Sequence, residues 1–363
     1  MLFTLKYKKN KLTKLVGSYP IYEGQILLFL IVLSPSHYLF SATLILGILV
    51  ATCSNSWFGA WIGLELNLLS FIPLISIKDN QYSSEAALKY FLIQALGSTI
   101  LLISGIMIII KMQAFSASLS GALLLKSGSA PFHFWFPPTL EGIIWPQALI
   151  LITIQKIAPI SLLSYYITEQ STLISLAVII SAIVGALGGL NQTLLRKLLA
   201  YSSINHIAWI ITALIISEST WLVYFILYSL ISISVVSIFY FIQTFHFSHL
   251  INQVTSKPIL KAAIFISLLS LGGLPPFTGF VPKWIIIQQL CSSRNFILLF
   301  ILLASSLFTL FYYLRITLSS FMLNSVKTKW FLSLDLNPKL RSLVLTINFL
   351  GLLIPSFVYS VLM

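Results

Sequence analysis

The sequence is poor in charge. Only 8% of its 363 residues are Asp, Glu, Lys or Arg, and eight of them are acidic. A soluble domain carries about 25% charged residues, so the composition excludes an ordinary soluble fold. Cysteine is scarce too. Cys53 and Cys291 stand far apart, and nothing in their spacing suggests a disulfide framework, a CxxC pair or a metal site. The chain has no GxGxxG, no P-loop and no set of cysteines for an iron–sulfur cluster. It therefore has no equipment of its own for nucleotide or electron chemistry, and no cofactor or metal is expected in it.

What is present is apolar. Hydrophobic residues make up 58% of the chain. Crossing a bilayer as a helix takes about 20 apolar residues, and runs of that length follow one another from about residue 31 to the end. In lipid, only helices and closed barrels satisfy every backbone N–H and C=O. These runs are continuous rather than alternating, which makes them helices. The fold class is an all-α polytopic membrane protein with about eleven spans. They lie near 31–53, 56–77, 84–111, 115–134, 143–168, 172–189, 194–216, 220–245, 259–291, 296–323 and 342–361.

The net charge of +13 is not a nucleic-acid signal, because no basic stripe with interleaved aromatics accompanies it. Its distribution instead orients the chain. When the spans are alternated, one side collects Lys78, Lys89, Arg196, Lys197, Lys257, Lys261, Arg315, Lys327, Lys329, Lys339 and Arg341. The other side collects Lys111 and Arg294. By the positive-inside rule the first side is the cytoplasmic or matrix side.

Two spans are interrupted. One contains Lys126-Ser127-Gly128-Ser129-Ala130-Pro131-Phe132-His133-Phe134-Trp135. The other contains Leu271-Gly272-Gly273-Leu274-Pro275-Pro276-Phe277-Thr278-Gly279-Phe280. Proline removes a helix hydrogen bond and clashes with the preceding turn. Matching interruptions in two halves of a membrane protein mark repeats built around an ion pathway.

Four ionisable residues fall inside spans: Glu65, Lys126, Lys156 and Lys283. A charge at mid-bilayer costs at least about 2.5–3.5 kcal/mol, so each needs a wet or paired setting. Burial disfavours a charged ammonium and a nearby carboxylate favours it, so a Glu–Lys pair can trade a proton when distance or hydration changes. Lysine titrates where arginine stays charged, and the in-span cations here are lysines. His133, in the first interruption, and His206, in Ser202-Ser203-Ile204-Asn205-His206, are secondary candidates, since histidine titrates near neutrality. Inert snorkelling or structural pairing is the alternative for each residue.

At these residues the chain resembles a family. The strings Gly63-Leu64-Glu65-Leu66-Asn67, Leu124-Leu125-Lys126-Ser127-Gly128, Ala130-Pro131-Phe132-His133-Phe134-Trp135, Gln155-Lys156-Ile157-Ala158-Pro159, Gly188-Gly189-Leu190-Asn191-Gln192 and Gly272-Gly273-Leu274-Pro275-Pro276-Phe277 look like the antiporter-like subunits of the proton-pumping NADH:ubiquinone oxidoreductase (respiratory complex I). Within them, the likeness is to the subunit 2 family of animal mitochondria.

The resemblance implies two inverted five-helix repeats with one broken helix each, at 31–168 and 169–323, then a matrix loop and a C-terminal helix at 324–363. It implies a Glu65–Lys126 pair in the first half-channel, Lys156 as the central lysine and Lys283 in the second half-channel. It places the chain in the mitochondrial inner membrane among inner-membrane lipids and other membrane-arm subunits, with the C-terminus in the intermembrane space. NADH, FMN, iron–sulfur clusters and ubiquinone belong to partner subunits. The function it implies is proton translocation driven by electron transfer elsewhere. The rivals are a stand-alone cation/proton antiporter and a structural membrane subunit with no proton path of its own. The chain departs from the family after Trp135, where Phe136-Pro137-Pro138-Thr139 carries no acid, and Glu141 receives no role.

The likeness begins near Ile31. Before it come Lys6, Lys8, Lys9, Lys11 and Lys14, then Gly17-Ser18-Tyr19-Pro20. In many arthropod mitochondrial genomes a methionine tRNA gene precedes this subunit. Val16–Ile21 back-translates into a stem around a loop with CAT, the methionine anticodon, at its centre. Residues 1–30 are therefore expected to be translated upstream sequence. Mass spectrometry of the mature protein is expected to find a formyl-methionine start near position 31, and a peptide from within Leu12–Glu23 would refute this.

Overall fold

In a computed structural model, residues 35–76, 80–167, 171–254, 258–322 and 345–348 are described. The expected N-terminal extension, the loop after residue 323 and most of the last expected span lie outside them. The described residues form fourteen α-helices. In chain order these are α1 (Pro35–Cys53), α2 (Trp57–Ile75), α3 (Gln81–Ile109), α4 (Ser116–Ser127), α5 (Phe136–Gly142), α6 (Trp145–Ile152) and α7 (Ile154–Leu163). They continue with α8 (Ser171–Gly189), α9 (Leu195–Ile216), α10 (Glu218–Ile242), α11 (Phe247–Val254), α12 (Pro258–Gly272), α13 (Phe280–Ser292) and α14 (Phe296–Met322).

Among the described residues, eight stretches, with α6 and α7 counting as one, are long and apolar enough to cross a membrane. The difference from eleven has a local cause. The expected spans at 115–134 and 259–291 are the interrupted ones: the first holds only α4 before its break, and the second is divided between α12 and α13. The last expected span, 342–361, is described only at 345–348.

Local sequence sets the helix ends. Ser56 caps α2 by accepting the Gly59 N–H at 3.2 Å. Asn80 caps α3 through the Tyr82 N–H at 3.1 Å, and Ser217 caps α10 through Thr220. Short polar side chains meet the orphan donors of a first turn in this way. The lipid-facing sides are apolar. Leu88, Leu92 and Leu96 form one exposed ridge on α3.

One interruption was not expected. The span at 143–168 divides at Thr153. Pro159 lies six residues further on, inside α7, and clashes with the turn before it. The Thr153 hydroxyl also donates back to the Leu149 carbonyl at 2.7 Å, an arrangement that bends helices.

The close helix crossings are built on glycine. A Cβ on Gly63 of α2 would stand 2.4 Å from the Ala51 backbone nitrogen of α1, and one on Gly47 would stand 2.8 Å from that of Asn67. Between α8 and α9 the pattern recurs, with Gly185 against the Asn205 backbone at 2.6 Å. At one end of the bundle Lys197 pairs with Glu141 at 2.7 Å, and Arg196 donates to the Ile143 carbonyl. Both contacts tie the start of α9 to the segment after the first break. Lys111 and Arg294, the two cations that charge counting put on the other side, each adopt a left-handed backbone just past a helix end. There a cation also meets the negative pole of the helix dipole.

Candidate functional site

A broken helix exposes carbonyls that lipid cannot satisfy. At the first break Gly128 takes φ +75°, and its N–H turns back to Leu124 and Leu125. The freed carbonyls find further donors. Ser127 and Ser129 donate their hydroxyls to Leu124 at 2.9 and 3.0 Å. Trp135 Nε1 donates to Leu125 at 3.2 Å, and Gln94 donates to Lys126 O at 3.3 Å. Thus the run of serines and aromatics around Pro131 seals the end of α4, and Lys126 sits in its last turn. The stem of Lys126 lies in the notch left by Gly97, where a Cβ would meet its Cγ at 3.2 Å.

At the second break Gly273 takes φ +78°. Here the lysine itself is the donor, as Lys283 Nζ bonds the Gly272 carbonyl at 2.9 Å. The ammonium thereby sits at the C-terminal end of α12, the negative pole of that helix. It also lies 5.7 Å from the centre of the Trp209 ring, within range for cation–π attraction.

Lys126, Lys156 and Lys283 are 6%, 2% and 5% exposed, so all three point into the bundle. Glu65 is half-buried. Among the described residues the direct ion pairs are Lys89–Glu85 and Lys197–Glu141. Glu65 and Lys126 interact electrostatically but do not form a contact pair.

Lys156 is the least satisfied. Its Nζ lies 4.7 Å over the Phe136 ring and has no hydrogen-bond partner. A cavity joins it to Lys126. The two lysines share its wall with Asn67, Tyr90, Gln94 and Gln155. It leaves about 20 Å³ for the centres of water-sized molecules, enough for one water. Asn67 Oδ1, Gln155 Nε2 and Lys156 Nζ are buried there without partners. Those are the two to four polar partners that a buried water uses.

The two candidate histidines part company. His206 is 7% exposed. Its Nδ1 lies 3.0 Å from the Tyr224 hydroxyl, and its ring packs on Tyr228. His133 lies beside Phe134 with ring centres 4.4 Å apart, and neither histidine lines the cavity.

Sequence reading missed Asn67, Tyr90, Gln94, Gln155 and Tyr224. A signal existed for the amides, because Asn67 and Gln155 lie inside the quoted strings around Glu65 and Lys156. An uncharged amide in an apolar helix carries a weaker warning than a charge.

The geometry can be set beside known proteins. A family model described as "NADH:quinone oxidoreductase/Mrp antiporter, TM" matches residues 54–309. The NADH-ubiquinone oxidoreductase chain 2 of Anopheles gambiae is 47% identical over 342 residues, 90% of this chain and 99% of the relative. Among solved structures, respiratory complex I from Thermus thermophilus contains a chain that superposes with a TM-score of 0.79 at 26% identity, covering 89% of this chain and 80% of that one. The Mrp complex from Dietzia sp. DQ12-45-1b matches in fold, with a TM-score of 0.70 at 18% identity over 76% of this chain and 59% of that one. With the family model matched along most of its length and a relative at this identity covered end to end, the chain belongs to the NADH:quinone oxidoreductase/Mrp antiporter family, among the NADH-ubiquinone oxidoreductase chain 2 proteins.

Proposed function

We propose that this chain is a proton-translocating membrane-arm subunit of an NADH:ubiquinone oxidoreductase, and that its protons pass along Glu65, Lys126, Lys156, His206 and Lys283. One observation carries the path: Lys126 and Lys156 share a cavity lined by unpartnered polar atoms.

The physical logic is local. A charge change beside the half-buried Glu65 alters its hold on Lys126. Lys126 then passes a proton through the cavity to Lys156, whose Nζ has no fixed acceptor to retain it. His206 accepts and hands on the proton, and Lys283 releases it toward the opposite side. The chain supplies the path and no electron chemistry. NADH, FMN, iron–sulfur clusters and ubiquinone are the business of partner subunits in the mitochondrial inner membrane. The lysine-rich side is the matrix, and the C-terminus faces the intermembrane space.

The two five-helix repeats also form part of this reading. Gly47 meets Asn67 and Gly185 meets Asn205, each twenty residues apart, at the first helix crossing of each half. Each half also places its break after its fourth long helix, α4 in the first and α12 in the second when the short α11 is set aside.

The antiporter reading needs oxygens free to bind a metal cation. At the first break the Leu124, Leu125 and Lys126 carbonyls already accept hydrogen bonds, and at the second the Gly272 carbonyl already accepts an ammonium. NADH-driven proton uptake from the matrix side of inner-membrane vesicles is therefore expected to persist at full rate when sodium is replaced by choline. A requirement for sodium would favour the antiporter. Failure of the chain to migrate with an NADH-oxidising complex on a native gel would overturn the proposal.

A further inference from the structure

The neck of the second break is held by a residue far along the chain. Asn348 is fully buried and touches three places at once. Its Oδ1 accepts the Ser270 hydroxyl of α12. Its Nδ2 donates to Ser234 Oγ of α10 at 3.4 Å. Its backbone carbonyl accepts the Thr278 N–H at 3.2 Å.

Ser270 and Thr278 are the two sides of the neck, one just before the break and one at its end. Between them the chain closes on itself. A Cβ on Gly279 would stand 1.7 Å from the Ser270 carbonyl oxygen, so the two backbones touch and only glycine fits. The loop inside this neck carries Gly272, whose carbonyl receives Lys283 Nζ. Gly273 lies beside it, with a hypothetical Cβ 3.0 Å from the same Nζ.

We infer that Asn348 is a positioning residue for Lys283: it clasps both sides of the break and so fixes the carbonyl on which the ammonium rests. The arrangement suits an amide, which offers an acceptor to Ser270 and a donor to Ser234. A leucine of similar size would leave the Thr278 bond, which uses the main chain, and remove both side-chain bonds. Loss of the clasp frees the loop, and Lys283 then samples more than one acceptor.

The inference rests on the relay proposed above, so Lys283→Met is the control that separates the two. The test is the number of protons moved per NADH oxidised, measured in inner-membrane vesicles and normalised to assembled complex on a native gel. Asn348→Leu is expected to lower that ratio by at least about fivefold, the worth of one of the two side-chain hydrogen bonds it removes. Ser270→Ala, a small change within a helix, is expected to lower it in the same direction, and the double variant should be no worse than Asn348→Leu alone, because both remove one shared contact. A purely structural role would lower the amount of complex and leave the ratio per complex intact, and that result in either variant overturns the inference. If Asn348→Leu does not assemble, Ser270→Ala decides by the same ratio. If Lys283→Met itself pumps normally, the relay fails and this inference fails with it. If Lys283→Met stops pumping and both clasp variants keep a normal ratio, only the inference fails.

Discussion

Lys126→Met is expected to lower NADH-driven proton translocation by at least about tenfold while the complex still assembles. A positioned acid–base group contributes about 10²–10⁴ to a proton-transfer step, so tenfold is the conservative bound. Methionine keeps the length and the apolar stem, which packs into the notch at Gly97, and removes only the ammonium. Taking an unpaired charge out of a buried site does not cost stability. No direct ion pair is broken either, because Glu65 acts on Lys126 at a distance. The effect therefore belongs to the transfer step and not to packing. Acidification of inner-membrane vesicles, normalised to assembled complex, is the measurement. Lys89→Met is the matched control: Lys89 pairs with Glu85 at the exposed surface of α3, where an ion pair is worth little, and pumping should be unchanged. Normal pumping in an assembled Lys126→Met complex would sink the relay.

Gly63→Val is expected to act on assembly, reducing assembled complex on a native gel by at least about fivefold. At Gly63 the obstruction is backbone, with the Ala51 nitrogen 2.4 Å and the Gly47 carbonyl oxygen 2.7 Å from a hypothetical Cβ. Neither can rotate away, so α1 and α2 must part. Overpacking of this kind costs about 1–3 kcal/mol, a large share of the 5–15 kcal/mol that holds a domain together. Gly121→Ala is the control, since nothing lies within 4 Å of a Cβ there. If Gly63→Val assembles as well as Gly121→Ala, the close crossing of α1 and α2 is wrong.

Much of the site was legible before any coordinates. Lys126, Lys156 and Lys283 stood out because a charge in an apolar run is costly, and all three are buried. The two breaks stood out because glycine and proline act through local backbone geometry, and Gly128 and Gly273 take positive φ. The kink at Thr153 was less visible. Pro159 was in view, but the span around it is apolar and carries no second marker. Glu65 and Lys126, expected as a pair, are not among the direct ion pairs of the described residues. The two histidines looked alike in sequence, and the structure sets His206 against Tyr224 and Tyr228 and His133 beside Phe134.

Chain chemistry alone thus determined the membrane class, the order of the apolar runs, the two interruptions and the ionisable residues inside the spans. These are properties of a residue and its near neighbours against a single solvent, lipid. Tertiary structure decided which polar atoms share the cavity between Lys126 and Lys156, which glycines let backbones touch, and that Asn348 closes the neck above Lys283. In water, hydropathy tells which face of a helix turns inward. In a bilayer the surroundings are as apolar as the interior, so helix faces are chosen by close packing and by a few buried hydrogen bonds, and those form between residues far apart in the chain.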